Sequence, residues 1–315
     1  MIIEHRKKAY IFSAILIGAA IISMVFNMIV SGTGTLGLNL GAQFTGGTLM
    51  QMNIDEDFEM TEVRGVLAEH GLEDATLQQV RNRDDEGNLI VEGVMVQTGI
   101  LDEDTRSNVI NSFRENWTIP DEEMMIESTG AAIGEEQTRN SLIAVFVALI
   151  GMVIYIAVRF EINFALATIA ALIHDLLIVL GVFSILQLEV NLPFVAALLT
   201  IVGYSINDSI VIMDRIRENT KYKRKSEYPD AVNTSILQNL TRSINTSLTT
   251  LMVLAALMVG FYVFVGSFDL VVFVTAMIIG VVVGTYSSIF VASPLWLTLK
   301  EREFRLAAKA KAKAR

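Results

Sequence analysis

No cysteine occurs among the 315 residues, so disulfides, thiolate metal sites and thiol catalysis are excluded, and the redox state of the compartment leaves no trace. Proline appears four times, histidine three times and tryptophan twice. Charge is sparse too: Asp, Glu, Lys and Arg make up 18% of the chain, against 52% hydrophobic residues. What is plentiful is long runs of Ile, Val, Leu, Ala and Phe, several near the ~20 residues that cross a bilayer as a helix. They mark an α-helical polytopic membrane protein.

The charge that is present is sorted along the chain. Residues 31 to 140 hold 22 of the 34 acidic residues but only 6 of the 24 Lys and Arg, a local balance of −16, and the remainder is basic. An acidic domain of this kind is a poor nucleic-acid binder, because phosphate contact relies on Lys and Arg.

Six spans are expected, at 10 to 30, 141 to 158, 164 to 186, 192 to 213, 243 to 265 and 269 to 297. Connectors rich in Lys and Arg face the cytoplasm. Such residues sit in "EHRKK" before the first span, at Arg159, in "RIRENTKYKRK" and in "KEREFRLAAKAKAKAR", whereas "SILQLEVN" and "VGSFD" have none. This alternation predicts a cytoplasmic (inner) membrane protein with both termini inside and residues 31 to 140 outside. The expected organisation is a first span within 1 to 30, an exposed domain at 31 to 140, five spans within 141 to 297 with a cytoplasmic loop at 214 to 242, and a basic tail at 298 to 315. The first apolar run, about 20 residues, is longer than the usual 7 to 15 of a signal peptide and is read as an anchor.

The exposed segment predicts a strand at 48 to 53, helix 59 to 72, strand 75 to 82, turn "DDEGN", strand 89 to 98, helix 102 to 117 and strand 123 to 129. That order is a ferredoxin-like α+β plait, which indicates no function by itself. Nothing in it suggests an enzyme: there is one histidine, His70, and no Gly-rich phosphate loop. The acid pairs Asp84 with Asp85 and Glu122 with Glu123 read as solvated surface rather than metal or acid/base sites.

Ionisable groups within the spans carry more weight, since a charge at the bilayer centre costs about 2.5 to 3.5 kcal/mol on insertion scales and marks a functional candidate. The candidates are His174 with Asp175 in the third span and Asp208 in the fourth; Asp214 and Arg215 follow at the membrane edge. Arg242 heads the fifth span and shares a helical stripe with Asn245, Thr246 and Thr249, while Ser205, Asn207, Asp208 and Ser209 crowd the fourth. Two polar surfaces in a bilayer are expected to face one another, pairing Asp208 with Arg242. Attraction to Arg242 and desolvation act oppositely on the Asp208 proton, which describes a protonation switch. A static structural acid is the other reading of Asp208, and interhelical hydrogen bonding alone would account for His174 and Asp175.

The stretches "QFTGGTLMQ", "ESTGAAIGEE", "RFEINFALATIAALIHDLLIVLG", "GYSINDSIVIMDRIREN" and "AVNTSILQNLTRSINTSLTTL" run along nearly the whole chain. Together they resemble the SecD/SecF family of bacterial protein-export membrane subunits and, more distantly, the resistance-nodulation-division transporters. The resemblance implies six spans with an exported ferredoxin-like domain and pairing with SecD as pseudo-symmetric halves. It also implies use of the proton-motive force to pull translocating preproteins outward after the SecA motor and the SecYEG channel, with YajC and YidC as further neighbours. The family's intramembrane acid falls on Asp208 and its arginine on Arg242; protons are the coupling ion, and no cofactor or metal is expected. Phe44, Gly46 and Gly47 fall at the expected junction of domain and membrane, where the glycines suit a tight backbone path. Here the sequence departs from the family's usual G-x-D-F-x-G-G, with Gln43 in place of Asp. The opening "MIIEHRKK" reads as an independent start, so SecD is expected as a separate chain. A non-transducing scaffold and a proton-driven efflux half-transporter for small molecules or lipids are the alternative functions.

Overall fold

The computed structural model describes residues 2–31, 35–54, 58–83, 89–120, 124–265 and 267–313. The expected turn at 84 to 88, with Asp84 and Asp85, and the acids Glu122 and Glu123 lie outside them. Among the described residues, six helical segments are long and apolar enough to cross a membrane.

Helix α1 (Arg6–Ser31) leads into the soluble part. There a short strand β1 (Asn39–Leu40) and one helical turn α2 (Ala42–Thr45) precede β2 (Gly47–Asn53), α3 (Met60–Glu69), β3 (Thr76–Arg83), β4 (Leu89–Thr98), α4 (Glu103–Asn116) and β5 (Met124–Thr129). The last four strands form one antiparallel sheet in the order β3-β4-β2-β5. Side chains alternate across a strand, so Met50 and Met52 of β2 lie opposite Val96 and Val94 of β4 on one face. Against that face pack Val63, Val66 and Leu67 of α3 and Val109 and Phe113 of α4, closing a buried core. Both helices start on acid caps: Glu59 and Glu62 make a reciprocal box, and the Asp102 carboxylate accepts from the Thr105 N–H at 2.8 Å. The bonds from the Thr105 N–H and hydroxyl hold the Asp102 carboxyl below its ordinary range.

The membrane part continues with α5 (Ala131–Arg159), α6 (Ile162–Leu186), a second short strand β6 (Glu189–Val190), α7 (Leu192–Thr220), α8 (Tyr228–Gly260), α9 (Phe268–Ser287) and α10 (Ser293–Lys313). Several helices outrun the apolar stretches seen in sequence. In particular, residues expected as a tail continue α10 as helix through Lys313. Helices α6, α7 and α9 form the centre, whereas α1, α5 and α8 keep most of their apolar surface outward.

Small residues set the central crossings. A Cβ on Gly280 of α9 would lie 2.4 Å from the Ile201 side chain of α7, and one on Gly284 would lie 3.3 Å from Ser205. This Gly-x-x-x-Gly spacing lets the two backbones approach closely. Gly181 of α6 plays the same part against Ala20 of α1. Between α9 and α10, residues Ser288–Ala292 form a π-turn, in which the Ser288 carbonyl accepts from the Ser293 hydroxyl at 2.9 Å. Such insertions rotate the side chains that follow and recur at functional sites.

Candidate functional site

Two carboxylates sit inside the helix bundle. Asp175 of α6 is fully buried. Its Oδ1 contacts His174 Nδ1 at 2.9 Å, and its Oδ2 accepts from Ser205 Oγ of α7 at 2.5 Å and from Ser287 Oγ of α9 at 2.8 Å. Asp208 of α7 is half-buried; its Oδ1 accepts from Ser243 Oγ of α8 at 2.7 Å and its Oδ2 from Ser288 Oγ at 2.5 Å. Hydrogen bonds to a charged acceptor are worth roughly 1.5 to 3 kcal/mol each, so these sets offset much of the cost of holding an acid in the bundle.

The close α7–α9 crossing makes this arrangement accessible. With no side chain at Gly284, Ser205 reaches Asp175 past the α9 backbone, and the π-turn then places Ser287 and Ser288 on different acids. His174 is buried, its ring stacks on Tyr286 with centroids 6.1 Å apart, and its Nε2 is buried without a hydrogen-bond partner. The Tyr286 hydroxyl in turn donates to the Ala9 carbonyl at 3.2 Å and bonds Ser13 at 3.1 Å, tying α1 into the network.

The expected pair of Asp208 with Arg242 is not formed. Salt bridges among the described residues do not join them, and Arg242 is exposed. The reason is helix rotation. Helix α8 turns Ser243 and Ser247 inward, because their small side chains allow close packing on α7 and α9, and this leaves Arg242, Asn245, Thr246 and Thr249 on its outer side. Among the other expected residues, Ser205 and Ser209 are buried and Asn207 is exposed. Thr246 donates only within its helix, to the Arg242 carbonyl at 2.9 Å. Ser243, Ser287 and Ser288, absent from the expected set, touch the acids alongside Ser205 and His174, which were in it.

Phe44, Gly46 and Gly47 lie where α2 meets the start of β2. Phe44 is buried among α6, α7 and α9 side chains, and its carbonyl accepts from Thr138 of α5 at 3.3 Å. Gly46 has φ +75°, and a Cβ on Gly47 would come within 2.4 Å of the Thr98 carbonyl oxygen, so both positions require glycine. Gln43 accepts from the Leu192 N–H at 3.1 Å and donates to Asp269 of α9 at 3.4 Å. Among the described residues no group of three or more His, Asp or Glu side chains is placed to hold a metal ion.

A six-helix membrane protein with acids held by hydroxyls in its bundle belongs to the class of polytopic proteins with intramembrane ionisable sites. The family described as "Protein export membrane protein SecD/SecF, C-terminal" matches residues 109–302. The chain is 38% identical over 293 residues to a protein translocase subunit SecF of Vibrio alginolyticus, covering 93% of this chain and 87% of that one. It is 40% identical over 268 residues to a protein translocase subunit SecDF of Thermus thermophilus, of which it covers 35%. A crystal structure of SecDF, a translocon-associated membrane protein, from the same organism superposes with a TM-score of 0.77 at 37% identity, over 94% of this chain and 38% of that one. The chain belongs to the SecD/SecF family of protein-export membrane proteins.

Proposed function

We propose that this chain is a SecF-type subunit of the Sec translocase that works with SecD, drawing on the proton-motive force to assist export of polypeptides. The observation that carries the reading is two intramembrane acids, Asp175 and Asp208, that accept from the consecutive hydroxyls of Ser287 and Ser288 respectively. Asp175 is sealed by three donors, while Asp208 is half-buried with two, so Asp208 is the group that exchanges protons with water. Protonating it removes the charge that attracts Ser243 and Ser288, which loosens α8 and the π-turn against α7. One charge crossing 100 mV releases about 2.3 kcal/mol, comparable with one or two of these bonds. That is enough to move a two-state equilibrium by tens of fold.

SecD is assigned as the partner for two reasons. The chain covers 35 to 38% of SecDF proteins, which carry both names in one polypeptide. Its membrane part also leaves an uncovered surface of small and polar residues: Ala196, Thr200, Gly203 and Asn207 make an exposed stripe on α7, and Arg242, Asn245, Thr246 and Thr249 make one on α8. Polar groups facing hydrocarbon are costly, so this surface is covered by a second membrane protein, and Arg242 acts from that seam. The βαββαβ sheet follows the ferredoxin-like order and, with the Lys and Arg placement, is read as the outer domain, with both termini in the cytoplasm. SecYEG, SecA, YajC, YidC and the translocating chain are further neighbours on this reading.

The test is Asp208→Asn in inner-membrane vesicles. Export that loses its dependence on the proton gradient while SecD still co-purifies supports the reading. Retained gradient dependence overturns it, and a scaffold role would then stand.

A further inference from the structure

Between the soluble domain and the helix bundle lies a joint that the export reading does not use. Strands β1 and β6 pair in parallel, Asn39 with Glu189 and Leu40 with Val190, and the Gly41 N–H extends the ladder to the Val190 carbonyl at 2.9 Å. This two-residue ladder links the segment entering the domain to the α6–α7 connector. The Glu189 carboxyl is packed into it. A Cβ on Gly41 would lie 2.3 Å from Glu189 Oε1, so the carboxyl occupies the space where any other residue would carry a side chain. With its amide oriented to satisfy both atoms, Gln97 of β4 donates to Glu189 Oε2 at 3.3 Å and accepts from the Ala42 N–H at 2.9 Å. One side chain therefore touches the connector, the domain sheet and α2 at once.

The electrostatic surroundings of this carboxyl are unfavourable to its charge. Asp269, in the first turn of α9, is the charged group acting on it. Asp269 is held there by Asn191 Nδ2 at 2.6 Å and Gln43 Nε2 at 3.4 Å. Gln97, Asn39 and Gly41 bring no charge. Glu189 also lines a cavity of about 630 Å³ between the domain and the bundle, with Met60, Leu77 and Met95 on one side and Phe261 and Tyr262 on the other. Tyr262 is the one other titratable group among the described lining residues, and none of those is Lys or Arg.

We propose that Glu189 is a pH-sensitive latch: protonated, it fastens the soluble domain to the helix bundle through the β1–β6 joint, and ionised, it releases that joint. Burial and Asp269 push the Glu189 carboxyl up from 4.5 to about 7 while the joint is closed. An opened joint puts Glu189 in water, where it loses its proton near 4.5. Closure is therefore favoured fully below 4.5, weakens as pH rises, and has lost this contribution above about 7. The span of 2.5 pH units sets a ceiling of about 300-fold on the change in the closed-to-open ratio, and partial solvent access reduces it to roughly ten- to a hundredfold. An acidic exterior thus holds the domain docked. The inference stands whether or not Asp208 carries protons.

The full chain in lipid nanodiscs, which has no native cysteine to interfere, can be spin-labelled at Glu115→Cys on α4 and Leu186→Cys at the end of α6. Distance distributions are then recorded by pulsed dipolar spectroscopy from about pH 5.5 to about 8.5, on either side of the expected transition. The expected result is one population at the acid end and a second that grows as pH rises toward about 7 and levels off above it. Glu189→Gln, a neutral mimic, keeps the closed population throughout, and Asp269→Asn moves the midpoint to lower pH. If Glu189→Gln does not insert, Asp269→Asn alone decides the matter. A distribution independent of pH, a transition that survives Glu189→Gln, or an unmoved midpoint in Asp269→Asn overturns the latch.

Discussion

Ser287 and Ser288 are consecutive residues whose hydroxyls serve two different acids on two different helices, Asp175 of α6 at 2.8 Å and Asp208 of α7 at 2.5 Å. On a continuous helix, neighbours point about 100° apart. Here the π-turn that begins at Ser288 sets the second hydroxyl against α7 while the first remains on α6. A change in the charge of either acid therefore acts on the same short segment.

Single alanine substitutions at the two serines separate the acids. Ser288→Ala removes one of two donors to Asp208, a loss of roughly 1.5 to 3 kcal/mol of hydrogen bonding, and is expected to weaken the gradient dependence of export. Ser287→Ala leaves Asp175 with Ser205 and His174, so its effect on gradient-dependent export is smaller. Export by inverted vesicles against external pH measures both.

Gly280→Ala tests the crossing that assembles the site. The added methyl meets the Ile201 side chain at 2.4 Å, and such overpacking costs about 1 to 3 kcal/mol. The thermal midpoint of the detergent-solubilised protein is expected to fall, and adding Ile201→Val restores part of it. Equal losses in the single and double variants would show that the crossing is not packed this way.

How much of this could be read in advance varies by residue. The six apolar runs and the strand at 48 to 53 were legible, because burial imposes periods that survive in sequence. Asp175 and Asp208 were legible as acids out of place. Their partners were not: which of Arg242 and Ser243 faces α7 depends on a rotation of about 100°, one residue's worth, which the neighbouring polar stripe did not fix. The run "TYSSIFVASP" carried the missing signal, a cluster of hydroxyls in an apolar helix. Glu189 was passed over because a single acid in a connector looks solvated until Gly41 is seen packed against it.

Gln43→Asp would place a third carboxyl where Gln43 now donates to Asp269. A like charge disfavours ionisation, so the Glu189 carboxyl is expected to titrate above its present value of about 7, by on the order of one unit. Carbon-detected resonance of labelled glutamate side chains in nanodiscs follows that change.

The exposed stripes on α7 and α8 predict where SecD lies. Cysteines at Asn207, Asn245 or Thr249 are expected to crosslink to SecD, whereas one at Ile15, on the exposed apolar side of α1, is not. Crosslinking from Ile15 alone would move the seam to the other side of the bundle. Arg242→Gln should leave the isolated subunit's stability within about 0.5 kcal/mol, as for surface changes, yet lower export by the assembled pair.

On the proposed function, Asp208 takes up and releases a proton as export proceeds. The direct measurement is isotope-edited infrared difference spectroscopy on the chain with SecD in liposomes, following the carbonyl stretch of a protonated aspartic acid as a proton gradient is imposed and reversed. The expected spectrum has a band that appears and vanishes with the gradient and is absent in Asp208→Asn. A spectrum in which Asp208 keeps one protonation state while gradient-driven export continues would contradict it.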